Sequence, residues 1–122
     1  MAEHTIIGRR GEAIAKRYLE GRGYTILEQN YRTKRAEIDL IARQDGVLIF
    51  VEVRTKHHEQ FGSPEDTLNY KKRMKMLRNA LAYVARARHR GAWRIDAVCV
   101  VLAQGQKAER IAHYENIVAG TI

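Results

Sequence analysis

Residues 36–54, AEIDLIARQDGVLIFVEVR, constrain the fold more than any other stretch of this chain. Asp45-Gly46 is a strong hairpin signal, because both residues tolerate a positive φ. Alternation on either side then sorts the side chains onto two faces. Ile38, Leu40, Ala42, Ile49, Val51 and Val53 make one face apolar throughout. The other is apolar near the turn, at Ile41, Leu48 and Phe50, and charged at its far end, with Glu37, Asp39, Glu52 and Arg54. A two-residue turn pairs Gln44 with Val47, Ile41 with Phe50, Asp39 with Glu52 and Glu37 with Arg54. A four-residue loop on the same centre keeps this register, and a three-residue loop breaks it.

Two carboxylates directly opposite each other sit roughly 5 Å apart at Cβ and repel. At an effective dielectric of about 20 the repulsion is on the order of a few kcal/mol. Either one carboxyl keeps its proton, or a cation lies between them. A hard divalent ion with oxygen ligands, Mg²⁺ or Mn²⁺, suits Asp39 and Glu52 best. The alternative is a polar patch neutralised by Arg54 and other basic groups, although one arginine cannot balance three acids.

The remaining elements follow from periodicity and punctuation. Residues 9–21 read as a helix with Ile14, Ala15, Tyr18 and Leu19 at helical spacing, stopped by GRG. Glu12 lies on its inward stripe: if this helix covers the charged end of the hairpin, Glu12 becomes a third metal ligand. Otherwise it is a first-turn acid that favours the helix dipole. Residues 24–31 read as a strand, and Ser63-Pro64 starts a helical turn within a loop. Asn69 caps a helix running to about Arg90 and ended by Gly91, with an apolar stripe of Tyr70, Met74, Leu77, Leu81, Val84 and Ala85. Residues 93–102 and 109–117 read as two further strands. The order α-β-β-β-α-β-β makes an α/β sandwich around a mixed sheet. At 122 residues, 1–122 is expected to form a single domain.

Charge narrows the partner. Between Asp66 and Asp96 there is no acid, while Lys71, Lys72, Arg73, Lys75, Arg78, Arg86, Arg88, Arg90 and Arg94 fall there. Residues 1–60 nearly balance, with 11 basic and 9 acidic side chains. Such a block suits a polyanion, nucleic acid ahead of membrane, the alternative being a solvated helix face. No apolar run approaches the ~20 residues that span a bilayer. The N-terminal MAEHTIIGRRGEA lacks the apolar stretch of a signal peptide, and the lone Cys99 sits in an apolar run, so a cytoplasmic location is expected. His57-His58 is a poor zinc motif, because a strand points adjacent residues oppositely. Trp93, Tyr70 and His113 read as structural residues. Carboxylates with a metal beside a basic surface suggest phosphodiester hydrolysis.

GRRGEAIAKRYLEGRGY, NYR, EIDLIA, FVEVR and RIDAV, in this order and spacing, resemble the YraN family of small bacterial proteins. That family resembles the PD-(D/E)XK nuclease superfamily, with its restriction endonuclease-like αβββαβ core, and archaeal Holliday junction resolvases are its nearest functional comparison. The resemblance implies that Asp39 stands for the superfamily's Asp, Glu52 and Arg54 for its (D/E)XK pair, and Glu12 for an acid on the first helix. It implies a Mg²⁺- or Mn²⁺-dependent endonuclease acting on DNA, on branched or structured DNA by the resolvase comparison. The alternative is a non-catalytic nucleic-acid-binding module that keeps the fold. Arg54 would contact phosphate, and Lys56, Lys71, Lys72, Arg73 and Lys75 would bind the nucleic acid. Resolvase-like enzymes act as homodimers, though no interface signature here demands one. Two departures stand out: Arg54 replaces the superfamily's lysine and cannot serve as a base, with Lys56 as a substitute on the same face. Ala36 replaces a glycine before EIDL.

Overall fold

In the computed structural model, which describes residues 6–60, 62–104 and 107–118, Asp45 and Gly46 take positive φ values of 51° and 78°. They close the hairpin as their composition favours. The elements are α1 (Ile6–Gly21), β1 (Thr25–Arg32), β2 (Glu37–Gln44), β3 (Val47–Lys56), a 3-10 turn (Pro64–Thr67), α2 (Tyr70–Ala87), β4 (Trp93–Leu102) and β5 (Ala108–Tyr114). The strands form one sheet in the order β1-β2-β3-β4-β5. All neighbours are antiparallel except β3 and β4, whose parallel pairing requires the crossover that carries α2. This is the mixed α/β architecture expected from the sequence, compatible with a restriction endonuclease-like core. Among the described residues, no helix is long and apolar enough to cross a membrane.

A helix covers each face of the sheet. Ala15 and Leu19 of α1 pack on Leu40, Ala42, Ile49, Val51, Val98 and Val100. Met76 and Ala80 of α2 pack on Ile41, Leu48, Phe50 and Ile95. Gly11 lies one turn before Ala15 on the buried stripe of α1, and a Cβ there would overlap the side chain of Thr55 on β3. The missing side chain lets the helix backbone approach the strand, and this contact sets Glu12 over the charged end of the hairpin.

The stripe expected on α2 holds in part: Met74, Leu77 and Val84 pack against the core on that face. Tyr70 and Leu81 are 69% and 49% exposed, and the buried positions are Met76 and Ala80. The cause is aromatic packing. Tyr83 meets Tyr31 and Phe50 edge-on, at centroid distances of 4.9 and 5.3 Å, and its hydroxyl donates to Glu28. This anchor turns the helix so that its Met76–Tyr83 arc faces the sheet. Asn69 caps the helix as expected, its Oδ1 accepting from the Lys72 amide at 2.9 Å. The helix ends at Ala87, short of Arg90, because Arg88 itself adopts the left-handed conformation at φ 53°. The last strand stops at Tyr114 instead of residue 117.

Two polar clusters hold the periphery. Asp96 of β4 is fully buried and receives Arg94 Nε at 2.9 Å and the Asn116 amide at 3.0 Å, with His113 Nε2 at 2.8 Å. Burial alone would push this carboxyl up, but these hydrogen bonds outweigh it and hold it below the ordinary range. Arg94 also donates to the Tyr24 hydroxyl at 2.8 Å, so the network fastens the start of β1 to β4 and β5. His113 is thus a structural residue, and Cys99 is buried, its thiol pushed up to about 12. The second cluster ties the 3-10 turn to β5. Arg110 donates to both Glu65 oxygens at 2.7 and 2.9 Å and to Glu59 Oε2 at 2.9 Å, and the Tyr114 hydroxyl donates to Glu65 at 2.7 Å.

Gly11→Ala is expected to cost about 1–3 kcal/mol of overpacking in urea denaturation, with part of the loss recovered by adding Thr55→Ala. The Arg110 hydrogen bonds hold the Glu65 carboxyl at about 2, below its ordinary value near 4.5. Its stabilisation is therefore complete above the ordinary value and lost as pH falls toward about 2. Glu65→Gln should cost about 1 kcal/mol at pH 7. Denaturation curves of variant and wild type should converge as pH is lowered through that window.

Candidate active site

The backbone creates the site by coming apart. Pairing of β2 with β3 runs from Gln44↔Val47 to Leu40↔Val51 and stops there. The expected pairs Asp39–Glu52 and Glu37–Arg54 do not form, because β2 turns at Asp39. Ile38 joins the α2-side core, whereas Leu40 and Ala42, which alternation would place beside it, lie in the α1-side core. On the other flank the β1 ladder passes from Gln29↔Leu40 to Tyr31↔Ile38 across Asn30, which is left-handed at φ 50°. The Val53 amide donates to Asp39 Oδ2 at 2.8 Å, so a side chain takes up the strand where the ladder ends.

Asp39 and Glu52 nonetheless line one cleft of about 480 Å³, together with Glu12 of α1. Burial first, then the charges of Glu52 and Glu12, push the Asp39 carboxyl up to about 8, against the Val53 hydrogen bond and the charge of Lys72. The β2–β3 ladder keeps the expected register from Gln44↔Val47 through Ile41↔Phe50 to Leu40↔Val51, and the acids meet in one cleft although it ends before the pairs Asp39–Glu52 and Glu37–Arg54. Glu52 is engaged by two cations: its Oε2 lies 3.1 Å from both Arg54 Nη1 and Lys72 Nζ. Arg54 is held from behind as well, its Nε donating to Thr67 Oγ1 at 2.8 Å, while that hydroxyl donates to the Pro64 carbonyl at 2.6 Å.

The basic residues singled out in the sequence divide in space. Lys56, Lys72 and Lys75 line the cleft. Arg73 instead donates to the Leu68 carbonyl at 2.7 Å, closing the entry to α2. Lys71 is exposed and outside the cleft lining. Glu37 lines the cleft but is paired with Arg32 at 3.0 Å, and Asn79 donates to its carbonyl at 2.9 Å. Ala36 sits in a tight turn whose Thr33 Oγ1 accepts the Arg35 and Ala36 amides. Its φ is not positive, so the family's glycine is not needed here.

Thr67, Asn79 and the site position of Lys72 were not identified from sequence. For Lys72, Lys75 and Asn79 a signal exists, since they recur at helical spacing after a capping Asn69. Thr67 carried none, because its role depends on how the loop folds back on β3.

Among the described residues, no three His, Cys, Asp or Glu side chains stand close enough to enclose a metal ion. Glu12 therefore acts on Asp39 through its charge and is not brought into a ready three-carboxylate set. Asp39 and Glu52 still suit a hard divalent cation, since Mg²⁺ is held by one or two carboxylates completed by water and substrate phosphate. Without such an ion the ionised Asp39 opposes folding. Its folded-state value is raised, so stability falls as pH climbs from the ordinary carboxylate range toward about 8. In EDTA at pH 8, Asp39→Asn should raise stability by on the order of 1–2 kcal/mol and the melting temperature by several degrees. Near pH 4, where the native acid is protonated, the two proteins should melt alike.

Comparison with known proteins agrees with the reading of the motifs. Residues 11–100 match the model of the "Uncharacterised protein family UPF0102". A UPF0102 protein of Alkaliphilus oremlandii is 41% identical over 113 residues, covering 90% of this chain and 95% of the relative. One of Thermodesulfovibrio yellowstonii is 34% identical over 110 residues, covering 90% and 93%. One of Sulfurihydrogenibium sp. is 41% identical over 106 residues, covering 86% and 87%. The chain belongs to the UPF0102 family, whose YraN-like members its motifs resemble.

Proposed function

We propose that this protein is a divalent-metal-dependent endonuclease of the PD-(D/E)XK type acting on DNA. The observation that carries the proposal is the convergence of Asp39 and Glu52 at a break in the sheet, with Lys72 and Arg54 within reach of the same carboxylate. Asp39 and Glu52 would hold Mg²⁺ or Mn²⁺, and Glu12 would add negative charge beside them. When bound, such an ion supplies Lewis acidity and a water of lowered pKa. The chain's own residues do the rest. Arg54, steadied by Thr67, keeps Glu52 in place. Lys56 and Lys75 line the cleft and make no ion pair among the described residues, so their charges are available to backbone phosphates.

The second reading, a nucleic-acid-binding module without catalysis, draws on the two cations that already occupy Glu52. Cleavage assays on linear, flapped and four-way DNA separate the two. Nuclease function requires Mg²⁺- or Mn²⁺-dependent cutting that falls about 100-fold or more in both Asp39→Ala and Glu52→Ala. Full cutting by either purified variant would place the activity elsewhere. Salt-sensitive binding without cutting, lost in a Lys56→Ala/Lys75→Ala double variant, would support the binding module instead.

A further inference from the structure

The superfamily's lysine is replaced on β3 by Arg54, and the structure shows what becomes of that arginine. Its Nε is spent on Thr67 and its Nη1 on Glu52. Thr67 belongs to the 3-10 turn, whose Glu65 is gripped by Arg110. The guanidinium is therefore fastened to a tethered turn. A planar, doubly held group of this kind positions its neighbours well but has little freedom to follow a reacting phosphate.

Lys72 reaches the same carboxylate oxygen from α2. Its amide is held by the Asn69 cap, which fixes its backbone in the first turn of α2. Its ammonium reaches over the cleft to Glu52 Oε2 at 3.1 Å, and its charge is felt by Asp39. The side chain is 25% exposed, so the ammonium reaches both the acids and the solvent in the cleft. Glu52 is the one acidic partner of Lys72 among the described residues, and an ammonium offers three donors.

We infer that Lys72, projecting from α2, is the catalytic cation that contacts the scissile phosphate, and that Arg54 is a positioning residue for Glu52. This inference rests on the nuclease proposal above. In the step it serves, a water oxygen bonds to phosphorus and the bond from phosphorus to the departing sugar oxygen breaks. The departing oxygen takes up the proton that the water loses. Lys72 stays protonated throughout. It donates to a non-bridging phosphate oxygen, where negative charge grows, and to the attacking water, whose lone pair it leaves directed at phosphorus.

The test compares wild type, Lys72→Met, Lys72→Cys with and without alkylation, and Arg54→Met in single-turnover cleavage, DNA binding and calorimetric Mn²⁺ titration. Lys72→Met should lose about 100-fold or more in cleavage rate, the range for losing one charge-stabilising donor. Its DNA affinity should stay within about 3-fold of wild type, since one phosphate contact among several is lost. Mn²⁺ should bind at least as tightly, because a competing cation has left Glu52. Lys72→Cys alkylated with bromoethylamine restores an ammonium of nearly the same length and should recover the rate, which repair of a merely structural defect would not require. Arg54→Met should lower the melting temperature and weaken Mn²⁺ binding. An active wild type with an unslowed Lys72→Met would overturn the inference and leave the nuclease proposal standing. A wild type that cuts none of the DNAs would overturn both.

Discussion

The site depends on a side chain standing in for a strand. β2 stops pairing with β3 after Leu40, and the carboxylate of Asp39 receives the Val53 amide at the first position past the ladder. The Val53 amide thus keeps a partner where the ladder stops, so the end of the ladder is held and not frayed. The same oxygen cannot be moved without freeing that amide. Asp39 is thus fixed in place, half-buried and facing like charge, which is an unfavourable position for an anion. Local stability is given up where a cation or a reacting group can use the stored repulsion.

What surrounds the acids is arranged to tolerate that repulsion. Glu52 receives two cations, one from its own strand and one from α2. The strand's cation is steadied by Thr67, the turn bearing Thr67 by Glu65, and Glu65 by Arg110 on β5. The far edge of the sheet is therefore mechanically linked to the centre of the cleft through four side chains. The Asp96 network does comparable work on the opposite face, with every polar atom satisfied. It explains the acid of RIDAV as a structural element and leaves it no part in chemistry.

Much of this was legible in the sequence, and the failures have specific causes. Asp45-Gly46, Asn69 and Ser63-Pro64 each act through local backbone preference, and each sits where that preference placed it. The strand at 93–102 was readable because burial on both faces demands a continuous β-branched run. Alternation failed only at Ile38, where a non-local demand, the left-handed Asn30 and the end of the ladder, overrode the period of two. The α2 stripe held at Met74, Leu77 and Val84 and missed at Tyr70, Leu81 and Ala85, because Tyr83 found Phe50 and Tyr31, residues distant in sequence, and helical period alone cannot weigh one partner against another. At the site, the acids were legible because like charges in an apolar ribbon are conspicuous. Lys72 was visible only as one charge in a basic block, since choosing among its neighbours requires knowing which arc of the helix faces the cleft.

The parallel partnership of β3 and β4 has a consequence for how the chain is made. On the side away from β2, nine consecutive residues of β3, from Leu48 to Lys56, find their register partners in residues 93–101. Until the ribosome has released that segment, this largely apolar strand has one bare edge, and its sequence LIFVEV suits intermolecular pairing. The acids that define the cleft then serve a second purpose, since Glu52 puts charge into the exposed edge and opposes stacking of nascent copies.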